Sequence, residues 1–258
     1  MKKKSLFILF FCLLSALVLT FASAGRVALA QPLLPIPEIN LQIGTTEAPA
    51  QLVGMLQLLL LLTVLSLAPA FVILMTSFTR TVIVLSFVRN ALATQQIPPN
   101  QVIIGLALFL TFFVMSPVMA TINEAALTPY LEEEITFEEA VENGGQPLRE
   151  FMLNNTREKD LALFLEIGRL DRPADRQAVP FQALVPAFVL SELKTAFQMG
   201  FILFVPFLII DMVVASVLMS MGMFMLPPVI VSLPFKILLF VLVDGWHLVV
   251  QSLLESYH

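Results

Sequence analysis

Cysteine and histidine are nearly absent from this sequence. Its 258 residues include one cysteine, Cys12, and two histidines, His247 and His258. A disulfide needs two thiols, and a structural zinc site needs four Cys or His ligands. We therefore expect neither a disulfide framework nor a Cys/His metal centre within one chain.

Charge is also scarce, and what there is does not form a basic surface. Charged residues make up 13% of the chain, hydrophobic residues 58%, and the 14 basic residues are outnumbered by 19 acidic ones. This composition excludes an ordinary soluble domain. We therefore expect a membrane protein. Nucleic acid is bound by clustered Lys and Arg, which this chain lacks, so we expect no nucleic-acid partner.

Catalytic motifs are missing as well. The sequence has no glycine-rich phosphate loop followed by lysine and no supported Ser/His/Asp arrangement. The acidic runs 132–134 and 138–139 lack the ligand and glycine spacing of a calcium loop. We expect no enzymatic activity, no cofactor and no bound metal.

The N-terminus has the features of a secretory signal. Lysines at positions 2–4 precede an apolar run over residues 6–21, and small residues follow as Ala22-Ser23-Ala24 or Ala28-Leu29-Ala30. The pattern predicts a signal peptide over residues 1–30, cleaved after Ala24 or Ala30, and then a linker over 31–50. An uncleaved anchor is the alternative, disfavoured because a membrane span needs about 20 apolar residues.

Two long uncharged segments, 48–79 and 90–123, each exceed the length of a membrane span. Residues 184–258 are again mostly apolar, and no stretch alternates polar with apolar residues as a membrane barrel would. We predict an all-α, integral-membrane-type fold with four long apolar helices, arranged as one hairpin over 51–123 and a second over 184–258.

An acidic insert separates the two predicted hairpins. Residues 124–183 contain 13 of the 19 acidic residues, and the segment REKDLALFLEIGRL has helical periodicity. We predict a water-facing insert of two or three short helices. The connection over residues 76–100 carries Arg80 and Arg89 and no acid, which favours the cytoplasm for this connection and the periplasm for the insert.

Four methionines, Met219, Met221, Met223 and Met225, fall within seven positions around Gly222. Pro227 and Pro228 follow, and proline cannot continue a helix, so we predict an irregular loop from about residue 222. Thioether side chains are flexible and apolar. Two interpretations remain open: the methionines fill gaps in a core, or they form a deformable seal.

Asp211 and Lys236 lie at equal distances from the middle of that loop, about 12 residues or ~18 Å along each helix. An isolated charge in an apolar setting is costly, so we predict an ion pair between them, within or between chains. Glu192 and Asp244 are candidate neighbours. A structural role in fixing register is favoured over a proton relay, because no histidine or further carboxylate completes a relay.

Two segments resemble the signature regions of the FliP family of flagellar type III export-gate proteins. They are residues 75–118, MTSFTRTVIVLSFVRNALATQQIPPNQVIIGLALFLTFFVMSPV, and residues 218–254, LMSMGMFMLPPVIVSLPFKILLFVLVDGWHLVVQSLL. The resemblance extends over nearly the whole chain. It implies several copies of the chain in a helical ring with FliQ, FliR and other export-apparatus membrane proteins, forming a gated conduit for unfolded flagellar export substrates. It also implies a location in the bacterial inner membrane at the flagellar basal body, with much of the assembly on the periplasmic side.

The same resemblance suggests roles for individual residues. The family's methionine-rich loop corresponds to Met223, Phe224 and Met225, so these residues, with Met219 and Met221, are the expected pore gasket. Phe224 departs from the usual methionine run. The family's buried charges correspond to Glu192, Asp211 and Lys236, which are expected to form buried charge pairs or subunit contacts.

Three other functions stay open from the sequence. An injectisome (virulence) export-apparatus counterpart shares both signatures but generally lacks the signal peptide and the acidic insert. A small-molecule membrane permease and a purely structural subunit of the basal body are the other two.

Overall fold

The structure is a computed structural model that describes residues 49–94, 97–170 and 175–257. The predicted signal peptide, residues 1–30, and the predicted linker up to residue 48 lie outside the described residues. Every regular element in the described part of the chain is helical. The prediction of an all-α fold is therefore confirmed.

The α-helices are numbered in chain order and are connected by short segments. A π-helical turn, Asn123–Leu127, joins α3 to α4, and a 3₁₀ turn, Arg176–Ala178, precedes α7. The helices are α1 (Pro49–Met75), α2 (Phe78–Ala91), α3 (Asn100–Ile122), α4 (Thr128–Leu131), α5 (Phe137–Asn154), α6 (Glu158–Ile167), α7 (Phe181–Ser220), α8 (Pro228–Leu242) and α9 (Gly245–Glu255).

Three helical segments in the described residues are long and apolar enough to cross a membrane: Gly54–Met75, Asn100–Leu131 and Phe181–Ser220. The pair α8 and α9, bent by 63° at its junction, can serve as a fourth. This agrees with the prediction of four long apolar helices. The chain divides within α1 into two compact units, residues 1–59 and 60–258; the segment of α1 from Gly54 exposes apolar side chains along its length.

Helix α2 lies at the centre of the second unit. Its buried residues Val84, Leu85 and Val88 recur at the three- and four-residue spacing of one helix face. They belong to a core that also contains residues of α3, α7, α8 and α9. The contact with α7 is close, because a Cβ on Gly200 would lie 2.5 Å from the ring of Phe87.

The presence of α2 corrects one interpretation of the sequence. The sequence predicts a connection between long helices over residues 76–100, but the structure places a helix within them and buries Arg80 to 2% exposure. The positive-inside tendency applies to arginines in loops, whereas Arg80 is buried and paired with a carboxylate. Arg80 therefore gives no support to a cytoplasmic location for this segment.

The acidic insert packs against the N-terminal half of α7. Met152 and Leu153 of α5 form an apolar cluster with Leu184 and Phe188 of α7. The N-terminus of α5 is closed by a capping box between Thr136 and Glu139. The hydrogen bonds that Glu139 accepts from the backbone N–H and the hydroxyl of Thr136 hold the pKa of its carboxyl below the ordinary value.

Candidate functional site

The methionine-rich loop is defined by how α7 ends. Gly222 has a positive φ of 75°, a conformation that glycine adopts without steric cost. The N–H of Met223 donates to the carbonyl of Leu218, and the N–H of Gly222 donates to that of Met219, each at 3.0 Å. These two bonds form a Schellman motif, which ends the helix.

Proline begins the next helix. Pro228 is the first residue of α8, where its fixed φ suits the first turn and its missing N–H leaves no bond unmade. The loop between Ser220 and Pro228 is therefore irregular, as predicted, and both of its ends are fixed by local chemistry.

The side chains of this loop point outward from the chain. Met225 is 97% exposed and Phe224 79% exposed, and Met221 and Met223 are also exposed, as is Met219 in the last turn of α7. None of the five fills a gap in the core of this chain. Together they form an apolar tip, the loop tip, at the end of the hairpin made by α7 and α8.

The structure brings Asp211 and Lys236 together within one chain. Lys236 Nζ lies 2.6 Å from Asp211 Oδ2, and the hydroxyl of Ser232 donates to the other carboxylate oxygen, Oδ1. Ser232 and Lys236 lie one turn apart on α8, and both are buried. The carboxylate of Asp211 on α7 and its two partners on α8 thus fix how the two helices of the hairpin lie side by side.

Glu192 and Asp244 do not join this pair. Among the described residues, the hydrogen bonds of the Asp211 carboxylate go to Ser232 and Lys236. Asp244 lies at the bend between α8 and α9 with a positive φ of 49°. Glu192 is 19 positions before Asp211 on α7, or about 28 Å along the helix axis.

Glu192 instead forms a second buried ion pair, with Arg80. Arg80 Nε lies 3.0 Å from Glu192 Oε2, and Nη2 donates to Oε1, so the guanidinium and carboxylate meet as two forks. Glu192 is fully buried. The hydroxyl of Tyr257 also donates to Oε2, at 2.9 Å.

Sequence reasoning missed Arg80, Tyr257 and Ser232. Ser232 could have been found, because a polar residue four positions before a buried lysine lies on the same helix face. Arg80 and Tyr257 gave no such local signal, since Glu192 is 112 and 65 positions away from them.

The fold and these features define a class: an all-helical membrane protein with two buried ion pairs and with a hairpin, α7 and α8, that ends in an apolar tip. Comparison with known proteins identifies the family. The FliP family model matches residues 61–253, which is most of the chain. This chain belongs to the FliP family.

Relatives in several bacteria support the assignment, and each is named flagellar biosynthetic protein FliP. The protein of Bacillus subtilis (strain 168) is 60% identical over 217 residues, covering 84% of this chain and 98% of the relative. That of Pectobacterium carotovorum subsp. carotovorum is 57% identical over 202 residues, 78% of each chain. That of Aquifex aeolicus (strain VF5) is 49% identical over 244 residues, 94% of this chain and 98% of the relative.

Proposed function

We propose that the chain is a core subunit of the flagellar type III protein export gate. In this proposal several copies assemble with FliQ, FliR and other export-apparatus membrane proteins in the inner membrane at the flagellar basal body, with much of the assembly on the periplasmic side. The assembly is a conduit for unfolded flagellar subunits. Membership of a family of flagellar biosynthetic proteins and the apolar helices support a flagellar role at a membrane.

The loop tip is the observation that carries the gating part of the proposal. It combines flexible thioether side chains, which pack against many shapes, with a backbone fixed by the Schellman motif on one side and by proline on the other. An exposed apolar tip is unfavourable in water and becomes stable when it is buried against other apolar surfaces. Tips from several copies that meet at a common axis would supply those surfaces.

The proposed mechanism is passive. When no substrate is present, the side chains of neighbouring tips close against one another and exclude water and ions. When a polypeptide enters, the same side chains repack around it, because the thioethers change rotamer without leaving gaps. The ion pair between Asp211 and Lys236 keeps the hairpin in register while the tip deforms. The driving force for transport comes from other components.

Ion conductance of the assembled complex tests the seal. The double variant Met223→Ala, Met225→Ala should assemble normally and conduct small ions, because truncation leaves a gap where two thioethers closed the axis. The control is Met55→Ala, Met119→Ala, which removes two exposed methionines from α1 and α3 and should stay closed.

Two results would contradict the proposal. Unchanged conductance in an assembled Met223→Ala, Met225→Ala complex would favour a purely structural subunit. Uptake of a small solute by vesicles that contain this chain alone would favour a permease.

A further inference from the structure

The guanidinium of Arg80 is buried and lies at the centre of a polar cluster that the proposed function does not use. Glu192 is also buried, whereas Asn155, Ser256 and Tyr257 are partly buried. Two of its N–H groups donate to Glu192. Nη1 donates to the carbonyl oxygen and to the hydroxyl of Ser256, both at 2.9 Å, and Nη2 also donates to Asn155 Oδ1 at 3.3 Å. All five donors of the side chain thus have an acceptor.

Tyr257 closes this cluster from the C-terminal side. Arg80 Cζ lies 3.8 Å from the centre of the Tyr257 ring, a cation–π contact. The same ring stacks on Phe151 of α5, with ring centres 6.0 Å apart and planes at 21°. The Tyr257 hydroxyl lies 2.9 Å from Glu192 Oε2 and 3.2 Å from the carbonyl oxygen of Ser77.

These contacts join four separate parts of the chain. Arg80 belongs to α2 and Glu192 to α7, Asn155 caps the C-terminus of α5 in the acidic insert, and Ser256 and Tyr257 follow α9. We refer to these five residues as the coupling hub. The stack of Tyr257 on Phe151 is a second, direct contact between the C-terminal segment and the acidic insert.

The insert is attached to α7 at the next residue as well. The hydroxyl of Ser191, adjacent to Glu192, donates to Asp160 Oδ2 at 2.8 Å and accepts the N–H of Arg157 at 3.1 Å. Both Ser191 and Glu192 are fully buried. A shift of α7 at Glu192 therefore also moves the group that holds the start of α6.

Because Arg80 and Glu192 are buried, the loss of one contact in the cluster weakens the others. A buried guanidinium is stable only while its donors are satisfied, and removing one partner leaves an uncompensated buried polar group. Loss of the Ser256 and Tyr257 contacts would leave two Nη1 donors and one carboxylate oxygen of Glu192 without these partners, and would weaken the hold on Asn155. Networks of this kind gain stability from all members together.

We propose that the coupling hub holds and releases the acidic insert and the C-terminal segment together. Docking of Tyr257 orders the end of α5 and the start of α6, and undocking loosens both. Arg80 and Tyr257 are positioning residues in this inference, and the loop tip has no part in it.

Hydrogen exchange of the full chain in detergent, followed by mass spectrometry, tests the coupling. Tyr257→Phe removes only the hydroxyl, and Tyr257→Ala removes the ring as well. We expect Tyr257→Ala to raise exchange at residues 155–161 by about tenfold or more and Tyr257→Phe by about threefold, although these amides lie roughly 100 positions away in sequence. The matched control is Tyr130→Phe, which removes the hydroxyl of the only other tyrosine and should leave residues 155–161 unchanged.

The reciprocal variant gives an independent test. Coupling between two sites acts equally in both directions, so Asn155→Ala should raise exchange at residues 253–257 by a comparable factor. If Tyr257→Ala loses protection throughout the chain, Tyr257→Phe and Asn155→Ala decide the question. Faster exchange confined to the segment that carries each substitution would overturn the proposal.

Discussion

The ion pair between Asp211 of α7 and Lys236 of α8 holds these two helices together, so a change at Lys236 should disturb their packing. Lys236→Glu would place two carboxylates in contact at a site where Lys236 is 2% exposed. Breaking a buried pair costs about 3–5 kcal/mol, and because Asp211 is partly exposed we expect a cost of about 3 kcal/mol. We expect this variant to lose most of the proposed oligomeric assembly in native mass spectrometry, with partial recovery in the double variant Asp211→Lys, Lys236→Glu.

Lys194→Glu is the control for this prediction. Lys194 lies on the same helix as Asp211 but is exposed, so reversing its charge should leave assembly unchanged. Normal assembly of Lys236→Glu alone would show that the pair does not hold the hairpin.

The two buried ion pairs differ in how far the sequence reveals them. Gly222 and two prolines mark the turn of a hairpin, and Asp211 and Lys236 lie at equal distances on either side of it. Their contact can therefore be predicted from residue numbers alone. Arg80 and Glu192 meet only after α2 has packed on α7 across 112 positions. Their pairing depends on tertiary packing, for which a single sequence provides no periodic signal.

At the level of elements, the conformation of Gly222 separates α7 from the loop tip. Gly222→Ala would force a Cβ into a left-handed conformation, costing about 1–2 kcal/mol, although nothing lies within 4 Å of the new atom. Gly105→Ala in the interior of α3 also enters open space, but there the helical backbone favours alanine by about 0.5–1 kcal/mol. We expect opposite signs for the two changes in the free energy of unfolding, measured by denaturant titration in detergent. Equal changes would mean that the Schellman motif does not control the end of α7.

The helices themselves were predictable to different degrees. Long uncharged runs revealed α1, α3 and α7, because burial in lipid and burial in protein select the same side chains. The short helix α2 was not predicted, because Arg80 and Arg89 interrupt the long uncharged runs on either side of it. The three- and four-residue spacing of Val84, Leu85 and Val88 is the signal in the sequence that indicates this helix.

At the scale of the whole molecule, the exposed apolar surface is the feature that the proposed assembly has to cover. Large apolar side chains are exposed along α1, α3, α7 and α8 as well as at the loop tip. Lipid can cover the helix faces, and in the proposed assembly the loop tips of neighbouring copies cover one another. The proposed assembly therefore requires that the loop tips of neighbouring copies lie close to one another.

Cysteine cross-linking measures that approach directly. The sole native cysteine is Cys12, within the predicted signal peptide, so Cys12→Ser combined with Met225→Cys leaves one thiol per chain, at the most exposed position of the tip. A disulfide needs Cα atoms within about 7 Å, so we expect oxidation of the assembled complex to yield covalent dimers in high proportion only where tips meet. Cys12→Ser with Glu142→Cys places the thiol at an exposed position of α5 and reports the rate of random collision. If complexes of intact stoichiometry gave no higher dimer yield for Met225→Cys than for Glu142→Cys, the tips would not meet at a common axis. That result would contradict the proposed seal.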